Sequence, residues 1–189
     1  MALRRGFKKE TNEYAKEFRQ ELNKKPFESL CPFELADHLS IPILKLSEFD
    51  DKKAVKYLTA TNQDVFSAVT VFNGRKRIIV HNDSHHPRRQ TANIAHELSH
   101  AVLAHPPSPP FTHSGERFYD SYIQKIEEEA NWMGPALLIS EEAALHIVRK
   151  KIPITEATIL YGASEQLIKM RINVTGARKR IVNYNRKFK

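Results

Sequence analysis

The stretch IAHELSHAVLAH, Ile94 to His105, holds the residues best suited to do chemistry. His96 and His100 stand four positions apart, and Glu97 directly follows the first. In an α-helix, residues i and i+4 lie one above the other, so both imidazoles can address one metal ion. Glu97 is turned about 100° from His96 by the helical period, outside the ligand set but close to a water on the ion. Zinc-dependent hydrolysis of an amide needs this division of labour. Neutral imidazoles hold the ion with one position open, and the ion acidifies its water. A carboxylate then takes the proton and returns it to the leaving amine. The pattern is H-E-x-x-H.

Such a site also needs a third protein ligand. IEEEAN, Ile126 to Asn131, precedes the apolar run ALLI, and Glu127, Ala130 and Asn131 share one helical face. If that helix packs beside the first, Glu127 completes a His-His-Glu set. At least one of the three glutamates then belongs to a solvated acidic face. His105 is expected as a cap at the helix end, where a cation meets exposed carbonyls. His85 and His86 are expected at the surface, in a turn. His113, Tyr119 and Tyr122 are each able to stabilise an oxyanion, and the sequence does not choose among them.

Other segments must position these groups. Tyr14, Phe18 and Leu22 recur at helical spacing within Glu10–Lys24, an amphipathic helix. Pro32 opens a short helix, Ile41–Leu46 reads as a strand, and Ser47 is placed to cap a helix running to about Leu58. DVFSAVTVF and RKRIIVHN read as two strands joined through Asn73-Gly74. The H-E-x-x-H helix is expected over Arg88–Ala104, with Ile94, Leu98, Ala101 and Val102 inward. A proline-rich loop follows, then a long helix from Tyr119 to Ile139 that Gly134-Pro135 should kink. Two or three short helices close the chain. This order predicts an α+β fold with a small antiparallel sheet and surrounding helices.

The 189 residues, 41% hydrophobic and 28% charged, fit one globular domain. Its expected parts are an amphipathic basic helix over 1–25, a main domain over 26–176 and a basic tail over 177–189, solvated and partly frayed. Cys31 stands alone, which excludes an intramolecular disulfide and suits a reducing compartment. MALRRGFKKE has no apolar run behind it and no stretch has the length of a membrane span, so a cytoplasmic location is expected. From Gln166 onward there are eight basic residues and no acidic one, against a net charge of +8. Such a segment is able to hold an acidic partner or nucleic acid.

The two motifs together resemble the ImmA/IrrE family of bacterial and phage zinc metallopeptidases. That family carries a HELGH-like motif and then a helix with E-x-x-A-N-x-F-A-x-x-L-L-M-P. Here HELSH stands at 96–100 and EEEANWMGPALLIS at 127–140. PFELADHLSIPIL resembles the family's opening helix and strand, and GASEQLIKMRINVTG its closing segment. The resemblance implies a minimal zincin of the gluzincin type, with Arg75–Asn82 as the edge strand above the active-site helix. It implies zinc held by His96, His100 and Glu127, with Glu97 as general base. It also implies a protein substrate, a helix-turn-helix repressor whose action the enzyme relieves in a mobile-element or stress-response locus. Ser99, Met133, Gly134 and Ser140 depart from the family's Gly, Phe, Ala and Pro. Two other classes compete with the peptidase. One is a regulator that binds its repressor without cutting it. The other is a basic DNA-binding protein, for which Ile154–Arg171 around Gly162 is the nearest imitation of a helix-turn-helix.

Overall fold

Helix α1 (Phe7–Glu21) forms where an apolar stripe can be buried: Phe7, Thr11, Ala15 and Phe18 recur every three or four residues and face inward. The structure is a computed structural model and describes residues 3–61, 64–106 and 117–187. Pro32 opens α2 (Pro32–His38), as its fixed φ and missing N–H allow. After β1 (Ile43–Lys45), Ser47 lies in a single 3-10 turn and bonds to Asp83 rather than capping a helix. The cap of α3 (Lys52–Lys56) is Asp51, whose carboxylate accepts from the amides of Lys53 and Ala54 at 3.1 and 3.0 Å.

Strands β2 (Ala68–Asn73) and β3 (Lys76–His81) form the expected hairpin. Its turn is Gly74-Arg75, one residue later than the dipeptide suggested, with Gly74 at a φ of 61°. The sheet order is β1-β3-β2, which corrects the sequence reading twice. The sheet is mixed rather than antiparallel throughout, because β1 runs parallel to β3 with Ile43 opposite Ile79. Arg75–Asn82 supplies the central strand, so the edge falls to β2. Side-chain alternation reports which residues face inward, but not which strand lies beside which or in what direction.

The helices α4 (Pro87–Val102), α5 (Arg117–Leu138), α6 (Glu141–Lys150), α7 (Ile154–Tyr161), α8 (Glu165–Val174) and α9 (Ala177–Lys187) complete the order. Helix α5 continues through Pro135. The segment read as a frayed tail is helical: Ala177 is fully buried, and Arg180 pairs with Glu141.

Helices α4 and α5 lie where two apolar clusters meet. Ile94, Leu98, Met133 and Leu137 join Phe18, Leu35 and Ile79 on one side. Ala95, Leu138 and Ile139 join Ala143, Ile147 and Ile168 on the other. Gly134 permits the approach, since a Cβ there would stand 3.2 Å from the amide nitrogen of His96. Ser99 is also buried, and its hydroxyl turns back onto the carbonyl of Ala95 at 2.7 Å.

Two buried arginines fasten the far end of α5. Arg19 donates to the carbonyls of Leu137 and Leu138 at 2.8 and 3.1 Å, and Arg171 to that of Ile139 at 2.8 Å. Guanidinium groups suit a helix C-terminus, where unpaired carbonyls carry partial negative charge.

Candidate metal centre

Helix α4 starts with Pro87 in its first turn and with the His86 ring accepting the amide of Arg88 at 3.2 Å. Ile94, Ala95, Leu98 and Ser99 form its buried side. The flank beside that stripe carries His96 and His100 toward α5. Their Nε2 atoms lie 3.1 Å apart. Glu127 of α5 comes between them, with one oxygen 3.2 Å from Nε2 of His96 and the other 3.4 Å from Nε2 of His100. One ligand atom from each of the three residues thus lies within 4.8 Å of the other two. Asn131, one turn beyond Glu127, is a further influence that raises the His96 pKa. His96 opens on a cleft of about 350 Å³ shared with Ala92, Asn93, Asn131 and Pro135.

The donor set fits zinc. Ligands about 2.0–2.1 Å from a tetrahedral centre lie roughly 3.3 Å from one another. The two Nε2 atoms, 3.1 Å apart, match that edge, and each Glu127 oxygen lies near one ring, at 3.2 Å from His96 and 3.4 Å from His100.

The electrostatics set the two imidazoles apart. Burial depresses the basicity of His96, but its bond to Glu127 and the charges of Glu97 and Glu127 outweigh that, so its pKa is raised. Burial, then the neighbouring His96, pushes His100 down to about 4. The bond to His96 is the main reason that Glu127 sits below the ordinary carboxylate value. Two imidazoles at this distance cannot both hold a proton toward each other.

Glu97 stands apart from the three donors. Its Oε2 accepts a 2.6 Å hydrogen bond from the hydroxyl of Thr70, on edge strand β2. Burial is the leading influence and raises its pKa, against the opposing pull of Thr70 and His96. A carboxylate whose pKa is raised by burial beside a candidate metal site is suited to proton transfer.

Sequence reasoning missed two residues here. The chain reverses after α4 with Ala104 in the left-handed region at a φ of 53°. The amide of His105 then donates to the carbonyl of His100 at 2.9 Å, and that of Ala104 to Ala101 at 3.1 Å, a Schellman termination. The His105 backbone therefore caps the helix, while its ring folds back beneath His100. Its Nδ1 lies 3.0 Å from Nδ1 of His100, and its Nε2 lies 3.2 Å from Glu129. Burial lowers the pKa of His105, although Glu129 opposes this. Helical spacing places His105 off the ligand face, and only the left-handed residue brings it back. The half-buried Glu128, between the two inward glutamates, accepts a bond from Gln124. His85 is buried, against expectation. His113 and the side chains of Tyr119 and Tyr122 lie outside the described residues, as does most of the proline loop.

The small sheet, the surrounding helices and the donor cluster define a minimal zincin-like domain with a candidate metal site. A profile described as the IrrE N-terminal-like domain, a peptidase family, matches residues 36–173. The chain therefore belongs to the ImmA/IrrE family, and the match includes all four residues of the H-E-x-x-H and Glu127 set. No curated protein matches the chain. Among the described residues, no helix is long and apolar enough to cross a membrane.

Proposed function

We propose that this protein is a zinc-dependent endopeptidase that cleaves a helix-turn-helix transcriptional repressor and so relieves repression. The observation that carries the metal assignment is the convergence of the two Nε2 atoms, 3.1 Å apart, with the Glu127 carboxylate, one donor atom of each residue lying within 4.8 Å of the others. His96, His100 and Glu127 would hold the ion. Zinc bound there supplies Lewis acidity that polarises the scissile carbonyl and acidifies the attacking water. Glu97 accepts the water's proton at Oε1 or Oε2 and delivers it to the departing amine. Thr70 holds that carboxylate in place and reduces the cost of its burial, which leaves it able to cycle between charged and neutral forms.

The peptidase unit in this reading is 26–176, and the setting is the cytoplasm, where such a repressor works. The repressor as partner rests on family membership, and the retained Glu97 favours cutting over binding alone. Metal content per chain is the first test, for the parent and for Glu127→Ala purified identically without added metal. Near one zinc in the parent and little in the variant is expected. No metal in either, even after zinc is offered, would refute the assignment. Next, Glu97→Gln is expected to retain zinc and to leave intact a repressor that the parent cuts, followed by mass spectrometry of the products. Equal cutting by both proteins would remove Glu97 as the base.

A further inference from the structure

Behind His100, on the side away from Glu127, the buried ring of His105 and the carboxylate of Glu129 form a chain that the proposed reaction does not use. Nδ1 of His100 lies 3.0 Å from Nδ1 of His105, and Nε2 of His105 lies 3.2 Å from Oε2 of Glu129. His105 is 5% exposed and Glu129 7%, so neither contact is a solvated surface pair. The direction of each bond follows from counting donors. A carboxylate only accepts, so a neutral His105 donates from Nε2. Its Nδ1 then carries a lone pair and accepts. Nδ1 of His100 must be the donor, which leaves Nε2 of His100 free of a proton on the side facing His96 and Glu127.

We propose that His105 and Glu129 are positioning residues that fix His100 in the one neutral tautomer able to hold a cation through Nε2. The inference rests on the metal-site reading given above and adds what orients one of its ligands. Metal-bound imidazoles commonly donate their second N–H to an outer partner, and loss of that partner weakens metal binding. Two arginines keep the chain aligned. Arg77 of β3 donates to the backbone carbonyls of His100 and His105 at 3.3 and 3.0 Å. Arg4 faces the other oxygen of Glu129 at 3.5 Å.

Two readouts on the full chain test this: zinc dissociation constants by competition with a chromophoric chelator, and ring ¹⁵N shifts of His100 in the metal-free protein. The parent is expected to show His100 protonated at Nδ1. His105→Phe keeps a buried ring without nitrogens, so it should move His100 toward the Nε2–H form and weaken zinc about 10–100-fold. His105→Gln offers an oxygen to the same Nδ1–H and should recover most of that loss, which a purely packing role would not produce. An Nε2–H tautomer in the parent, or zinc affinity in His105→Phe within about twofold of the parent, would overturn the proposal. Should His105→Phe not fold, Glu129→Leu carries the same test with roughly tenfold weaker zinc expected, and an unchanged constant overturns it. Failure of the parent itself to take up zinc defeats the metal-site reading instead. The nitrogen shifts separate the two failures, because they report on His100 with no metal present.

Discussion

Helix α5 meets its surroundings at two places, and the two use opposite chemistry. Midway along it, Glu127 and Glu129 face the imidazoles of His96, His100 and His105. At its end, the carbonyls of Leu137, Leu138 and Ile139 receive the guanidiniums of Arg19 and Arg171. Burial pushes both arginines down to about 10, which still leaves them charged at neutral pH. In the arginine region, the guanidinium donors end on acceptors of the protein itself. In the histidine region, two ring nitrogens and a carboxylate from two helices converge on one another. Matched polar groups make structure, and converging acceptors make a site.

If that contrast is sound, damage to the arginine end should cost stability and spare the metal. Arg19→Ala removes donors to the carbonyls of Ala15, Glu28, Leu137 and Leu138. A loss of about 3–5 kcal/mol is expected by denaturant unfolding, since buried acceptors are left unmatched. Zinc affinity of the folded fraction should stay within about threefold, as expected for separate regions. A metal loss as large as the stability loss would merge the two regions into one.

The converse is a change at the histidine end. Glu127→Ala should weaken zinc by more than about 100-fold, beyond the range for an outer-shell partner. Glu128→Ala should leave the constant unchanged, and Glu129→Ala should fall between. Equal losses from all three, measured by chelator competition, would void the ligand assignment.

Alkaline pH probes the arginine end by another route. The Tyr161 hydroxyl donates to the carbonyl of Phe27 at 2.8 Å, and burial pushes its pKa up to about 12. The unfolded chain loses that proton near pH 10, about two units earlier. Stability from this group is therefore fully present below about pH 10 and is lost as pH rises through 12. Tyr161→Phe should begin about 1 kcal/mol less stable at neutral pH and lack this part of the alkaline decline. Parallel curves of stability against pH for the two proteins would contradict this.

Gly134→Ala is the mildest change and reaches both properties. The added Cβ stands 3.2–3.3 Å from backbone atoms of Ala95 and His96, so α4 must give way by a few tenths of an ångström. A cost of about 1 kcal/mol and a few-fold weaker zinc are expected together. No change in either would mean that the helix pair has slack at this point.

The local parts of this picture could be read from the residues. Two histidines at i and i+4 must share a helix face, and a Gly after a strand pattern marks the hairpin. Family resemblance linked α4 to Glu127, a pairing that periodicity left conditional. What escaped depends on encounters between distant segments. The parallel β1–β3 pairing depends on a crossover that alternation does not encode. His105 reached the site through one left-handed alanine, a residue with no preference for that conformation. The buried roles of Arg19 and Arg171 were not legible, because a sequence does not display the helix end that awaits them.

The three donors sit on two helices that adjoin only when the chain is folded, so occupancy by an ion would also act on conformational equilibrium. Free zinc at 100 times its dissociation constant would add about 2.7 kcal/mol to the folded state, provided that the unfolded chain does not bind it. Zinc supply would then govern how long this protein survives as well as whether it can act.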